Sequence, residues 1–245
     1  MNVGRAVKCL FKQDGWARTL AMATIYMFIP MVGPIAFQGY AVRVFKHLVL
    51  TGDDSNLPPM EGFSDLMNLG MMPFVMSMIY MFPIIFLVYF GLGLGIGAGM
   101  LLVGVIIAGL VAAGLDPGIA SAIGVLLALV VGALVFALVY GLIILLAYPL
   151  QAVHTMVETT GKIEYAWKFS QVRDYMRSLK PEYRRAFIGM FFYNLLIMTC
   201  GMLLCSVGIY PATVVMAVAG AHIRAQLYRI YLARGGEPLP MDPRL

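Results

Sequence analysis

One charge-free stretch decides most of what this chain can fold into. From Leu66 to Leu115 there is no Asp, Glu, Lys or Arg, and after Asp116 there is none until Glu158. About 18 apolar residues in a row already make a candidate membrane span, so these runs hold two or three spans between them. Lipid offers no partner for a free backbone amide or carbonyl, which leaves helices and closed barrels as spanning structures. Barrel strands alternate polar and apolar positions, and "GVLLALVVGALVFALVYGLIILLAY" does not alternate. The chain therefore reads as an all-α, polytopic membrane helix bundle. Only 12% of its 245 residues are charged, and mean hydropathy is +0.88; a soluble domain is about a quarter charged.

About six transmembrane helices are expected: Thr19 to Val42, Gly70 to Phe90, Gly95 to Leu115, one within Ile119 to Leu150, Ala186 to Ser206, and Tyr210 to Tyr231. They define a transmembrane domain over 19–231, preceded by a basic segment (1–18) and followed by a short tail (232–245). Within 158–182, Tyr165, Phe169, Val172, Met176 and Leu179 share one side of an amphipathic helix, which lies at the cytoplasmic interface or packs on the span ends. Lys168, Arg173, Arg177 and Lys180 would meet anionic lipid there.

Lys and Arg cluster in the N-terminal segment, in the Gln151 to Arg185 loop and at the end of the last span. The positive-inside rule then puts both termini and that loop on the cytoplasmic side of the membrane. In this setting the net charge of +5 is a topology signal, and no nucleic-acid partner is expected. The side of the loop 43–69 depends on the first segment. Six spans place it outside; a first segment that is re-entrant at Pro30 and Pro34 places it in the cytoplasm.

That first segment, "FIPMVGPIAFQGY", contains Pro30, Gly33, Pro34 and Gly39. Each proline removes an amide and clashes with the carbonyl four residues back. A kinked span is expected, with a helix broken around a binding site as the alternative; Pro83 is a third candidate kink. The "GLGLGIGAG" run lacks the Lys-Ser/Thr, strand and acidic residue of a nucleotide site. Its Gly91, Gly95 and Gly99 have small-xxx-small spacing, which suits close helix packing, an inter-helix turn or self-association.

Polar residues inside spans mark transport pathways, and here they are few. Gln38, Tyr80, Asn194, His222 and Arg224 are the candidates, with Asn194 expected to bond a neighbouring helix. His222 and Arg224 form either a snorkelling interfacial pair or a buried site for an anionic headgroup or peptide carboxylate. No catalytic constellation, cofactor motif or metal-ligand spacing is visible. Cys9 is a free thiol or a juxtamembrane palmitoylation site, and Cys200 and Cys205 fall at the fifth span as small hydrophobes.

Three patches in order carry a family resemblance. They are Gly15–Trp16 followed by "IPMVGPIAFQGYAVRV"; "LPP" followed by "FSDLMNLGM" and "IYMFP"; and the tail "GMLLCSVGIYPATVVMAVAGAHIRAQLYR". Together they resemble the prokaryotic membrane-protein family catalogued as domain of unknown function 4013. One departure is clear: Met60 and Glu61 stand where the pattern has an aromatic, with Phe63 as the substitute. The resemblance implies a multi-pass membrane protein and carries over no catalytic residue. The leading functional expectation is a non-enzymatic membrane organiser or partner subunit, with a bilayer, a membrane-protein partner or a second copy around it. A transporter or channel for a small or lipidic solute is the alternative, and an intramembrane lipid-related enzyme the third.

Overall fold

A computed structural model describes residues 2–204 and 207–242. Among these residues every regular element is a helix: α1 (Val3–Lys8), α2 (Trp16–Met27), α3 (Val32–Thr51), α4 (Phe63–Ala112), α5 (Pro117–Thr160), α6 (Phe169–Ser178), α7 (Lys180–Leu203) and α8 (Ile209–Ala233), with short 3-10 turns at Leu10–Lys12 and Ile163–Trp167. Cys205 and Ser206, where the fifth expected span ends, lie outside the described residues, as do 243–245 of the tail. The chain divides into two compact units, one of 1–77 with 149–245 and one of 78–148.

In the first unit, α8 is the central helix and packs against α1, α2, α3 and α7. Its small residues, among them Ala219, Gly220, Ala221 and Ala225, are buried and let its neighbours approach closely. The expected first span is two helices. Ile29 precedes Pro30 and is disfavoured in the helical region, and α2 ends just before it at Met27. Met31 has a positive φ of 63°, which turns the chain before α3 begins. Pro34 falls in the first turn of α3, where its missing amide would have no intrahelical partner in any case. The kink assigned to Pro30 and Pro34 is thus replaced by a reversal. Arg5, before α2, pairs with Asp54, after α3, so the chain runs out along α2 and back along α3. At 12 residues α2 is about 18 Å long, short of the ~30 Å of a bilayer core.

The return continues antiparallel into α4. A Cβ on Gly39 would collide with the Leu66 carbonyl, and one on Gly70 with that of Ile35. The helices α7 and α8 form a second hairpin, pinched where Gly201 meets Gly208 and closed at the far end by Glu182 with Arg234. Consequently the N-terminal segment, the loop after α3, the end of α5, the start of α7 and the end of α8 share one end of this unit. The amphipathic stretch condenses to α6, where Val172 and Tyr175 are buried and Tyr175 packs on Tyr231. Val172 and Leu179 of its stripe therefore face protein, while Phe169 of the same stripe and Trp167 are exposed.

The second unit is an antiparallel pair made of 78–112 from α4 and 117–148 from α5. Gly91, Gly95 and Gly99 face Val139, Val135 and Val131; a Cβ at each glycine would come within 3.3, 2.5 and 2.8 Å of the valine side chain. Gly93 and Gly97 face open space. The spans expected at Gly70 to Phe90 and Gly95 to Leu115 are one continuous helix, which also passes through Pro83. A helical glycine costs about 0.5–1 kcal/mol relative to alanine, and here the facing valines fill the notches it leaves. Asp116 caps α5, accepting from the amides of Gly118 and Ile119 at 2.8 and 3.2 Å. The outward side of the pair is apolar and open: Leu101 is 75% exposed and Leu138 72%.

Three helices, α4, α5 and α7, are long and apolar enough to cross a membrane. The sixth expected span corresponds to α8, which carries His222, Arg224 and Arg229 and is not among the three.

Candidate functional site

The titratable side chains of the first unit gather at its shared end, in two networks. In the first, Arg224 of α8 meets Glu158 of α5. Its Nε and Nη2 donate to the two carboxylate oxygens at 2.8 Å each, and Nη1 donates to Gln151 Oε1 at 3.3 Å. The Glu158 side chain is fully buried and that of Arg224 is 8% exposed. A buried charge is tolerated when paired and hydrogen-bonded, and the planar guanidinium suits a bidentate carboxylate. Arg224 is therefore consumed internally: it neither snorkels to the interface nor forms a headgroup site together with His222.

His154 stands beside this ion pair, Nδ1 lying 3.7 Å from Glu158 Oε1 and Nε2 lying 3.4 Å from Ser77 Oγ. The order Ser–His–Glu has the outline of a nucleophile, base and orienting acid. The hydrogen bonds run elsewhere, however. Ser77 donates to the Pro73 carbonyl at 2.7 Å, and both Glu158 oxygens are held by Arg224. The cluster joins α4, α5 and α8 within the first unit.

The second network is built on Asp54, in the loop after α3. Arg5 donates to both of its oxygens, at 2.5 and 2.7 Å, Lys12 donates at 3.1 Å, and His222 Nε2 lies 3.6 Å away. Hydrogen bonding from Arg5, reinforced by Lys12, holds the Asp54 carboxyl well below the usual carboxylate range despite its burial. Neighbouring Asp53 turns away and accepts from the Ser55 amide and hydroxyl at 2.9 and 2.6 Å. Lys46, which is fully buried, sits 3.5 Å from the Asp242 carboxylate and donates to that residue's carbonyl at 3.2 Å, which ties the C-terminal tail to α3. Cys9 is fully buried here, and burial pushes its thiol up to about 12. That makes it a poor nucleophile and removes it from reach of palmitoylation.

Next to the Asp54 network lies a half-open cavity of about 220 Å³, whose polar lining is Asn2, Arg5, His222, Gln226 and Arg229. Gly52 completes the wall in the left-handed conformation (φ 71°), and the Arg229 guanidinium rests directly on it. His222 is the residue foreseen from sequence that reaches the cavity. Gln38 is half-buried on α3, and Asn194 lies on the exposed side of α7 without a hydrogen bond among the described residues. Tyr80 belongs to the second unit. The structure therefore brings no polar cavity together from Gln38 and Asn194. The partners that sequence reasoning missed, Asp54 for Arg5 and Glu158 for Arg224, are 49 and 66 residues away along the chain; no local periodicity could have marked them. Among the described residues no group of three His, Cys, Asp or Glu converges as a metal site.

Among the described residues every regular element is a helix, three helices are long and apolar enough to cross a membrane, and ion pairs gather at one end of the first unit. The chain belongs to the family described as "Protein of unknown function (DUF4013)", whose match covers residues 20–206. No curated protein and no solved structure matches it.

Proposed function

We propose that this is an integral membrane protein of the prokaryotic cytoplasmic membrane that acts without catalysis, as an organiser or partner subunit. The carrying observation is the apolar surface of the 78–148 helix pair. Leu94, Met100, Leu101, Val105, Leu126 and Leu138 are each at least 67% exposed, on a pair with no charged residue except Asp116. Such a surface is stable against lipid or another membrane helix and not against water. The orientation follows from the Lys- and Arg-rich segments at the shared end of the first unit, which the positive-inside rule assigns to the cytoplasm. Arg173, Arg177 and Lys180 are exposed there and can meet anionic lipid.

The transport reading rests on the broken α2–α3 segment, since broken helices build many transporter sites. It draws less support because Gln38 and Asn194 do not line the cavity. Carbonate-washed membranes, followed by in-membrane cross-linking and native mass spectrometry in nanodiscs, test the proposal. The protein should stay with the membrane and run as an assembly with itself or another membrane protein. A lone monomer that moves solute in proteoliposomes would contradict it.

A further inference from the structure

The cavity beside Asp54 has a chemical bias that its wall residues set among themselves. The side-chain acceptors of its lining residues are already spoken for. Asn2 Oδ1 accepts from the Arg5 amide at 2.9 Å, and Gln226 Oε1 accepts from the Asn2 amide at 3.2 Å. With its oxygen fixed in that way, Gln226 turns Nε2 toward His222 Nδ1 at 2.8 Å and donates to it. His222 is thereby the Nε2–H tautomer, with that proton facing Asp54. Asp54 itself is shared by Arg5, Lys12 and His222.

What remains unspent is all N–H. Asn2 keeps its carboxamide nitrogen, Gln226 keeps one N–H, and Arg229 keeps its guanidinium, which among the described residues has no acidic partner. Charge leans the same way: Arg5 and Arg229 on the wall, with Lys12 behind them, outnumber the two nearby carboxylates, Asp54 and Asp53. The two guanidinium groups come from separate elements, Arg5 from α1 and Arg229 from α8. Asp54 takes the Nε–Nη2 edge of Arg5, so Arg229 offers a whole fork and Arg5 only its remaining Nη1 side. A carboxylate's two oxygens are satisfied by the one fork; a phosphate group has oxygens left over for Arg5. The volume, about 220 Å³, equals roughly seven waters at ~30 Å³ each, which is room for a phosphate group with part of its shell.

We propose that this cavity is a phosphate-binding site, with Arg229 as its principal unpaired donor and Arg5, Asn2 and Gln226 as the supporting ones. The phosphate group is supplied either by a lipid headgroup or by a soluble phosphate, and the site lies at the end of the unit that carries the basic segments. Gly52 is part of the site, because any side chain there would displace the Arg229 guanidinium.

The test uses the full chain in phosphatidylcholine nanodiscs. Inorganic phosphate is titrated by calorimetry, and in a second arm phosphatidic acid is added to the nanodiscs and binding is read by native mass spectrometry. Wild type should bind at least one probe, Arg229→Gln should bind it at least tenfold more weakly, and Arg229→Lys should fall between them. Arg173→Gln, an exposed charge on α6, should leave binding unchanged. Saturation by inorganic phosphate supports the site and assigns a soluble source; binding confined to phosphatidic acid supports it and assigns the headgroup. The proposal is overturned if neither probe binds, if Arg229→Gln and Arg229→Lys bind like wild type, or if Arg173→Gln loses as much as Arg229→Gln does.

Discussion

Removing either half of the Glu158–Arg224 pair should be costly, and removing both should not. Two charge-assisted hydrogen bonds of 2.8 Å join side chains that are fully and nine-tenths buried. At a charge separation near 4 Å and an effective dielectric constant of about 20, the attraction is about 4 kcal/mol. Breaking a buried pair from one side costs about 3–5 kcal/mol, because the survivor stays buried and unpaired. Glu158→Leu and Arg224→Met should therefore each lose about that much. In the double variant no charge is stranded. Its main residual cost is Gln151, whose Oε1 loses its donor, at about 1–3 kcal/mol. The coupling free energy should then be at least about 3 kcal/mol. Reversible unfolding in mixed micelles, followed by circular dichroism across the four proteins of the cycle, measures it. Singles that each cost under about 1 kcal/mol, or a double equal to their sum, would refute the reasoning.

At the α3–α4 crossing, Gly39→Leu should destabilise by at least the ~1–3 kcal/mol typical of overpacking, seen as a lowered melting temperature, because its side chain would enter the Leu66 backbone. In the second unit, Gly95→Leu should weaken the helix pair while Gly93→Leu leaves it unchanged, since Gly95 faces Val135 and Gly93 faces open space; equal melting temperatures would count against that packing. Asp54 has a carboxyl pKa depressed by Arg5, so its contribution is complete above the unfolded value of about 3.9 and is lost as pH falls through the folded one. Asp54→Asn should accordingly be less stable than wild type at pH 7, with the gap closing toward pH 2; a gap independent of pH would contradict the assignment.

The helical class was legible because one signal, uninterrupted apolarity, has one physical outcome in lipid. The Lys and Arg clusters likewise pointed to the segments that the structure gathers at one end. What the sequence left open depends on pairing across the chain. Pro30 and Pro34 announce an interruption, but whether it bends or reverses the chain turns on Met31 adopting φ 63° and on Arg5 finding Asp54. The glycine run from Gly91 to Gly99 reads as a turn or a packing face until Val131, Val135 and Val139 are seen filling it. Glu158 and Asp54 read as loop acids because burial of a carboxylate requires a cation that only the tertiary fold brings near. The cavity at Arg229 was equally hidden: its walls come from α1, α3 and α8, and His222 was the single residue that a scan for intramembrane polar groups could catch.

The central structural claim is the reversal at Phe28 to Met31, which returns the loop 51–62 to the side of the N-terminal segment. Site-directed cysteine labelling in membranes tests it most directly. With Cys9, Cys200 and Cys205 replaced, Asn56→Cys and Ser170→Cys each place one exposed thiol, in the loop after α3 and on α6. A membrane-impermeant maleimide should find both on the same side. Labelling of Asn56→Cys from the side opposite Ser170→Cys would show that the first segment spans the membrane and would contradict the fold.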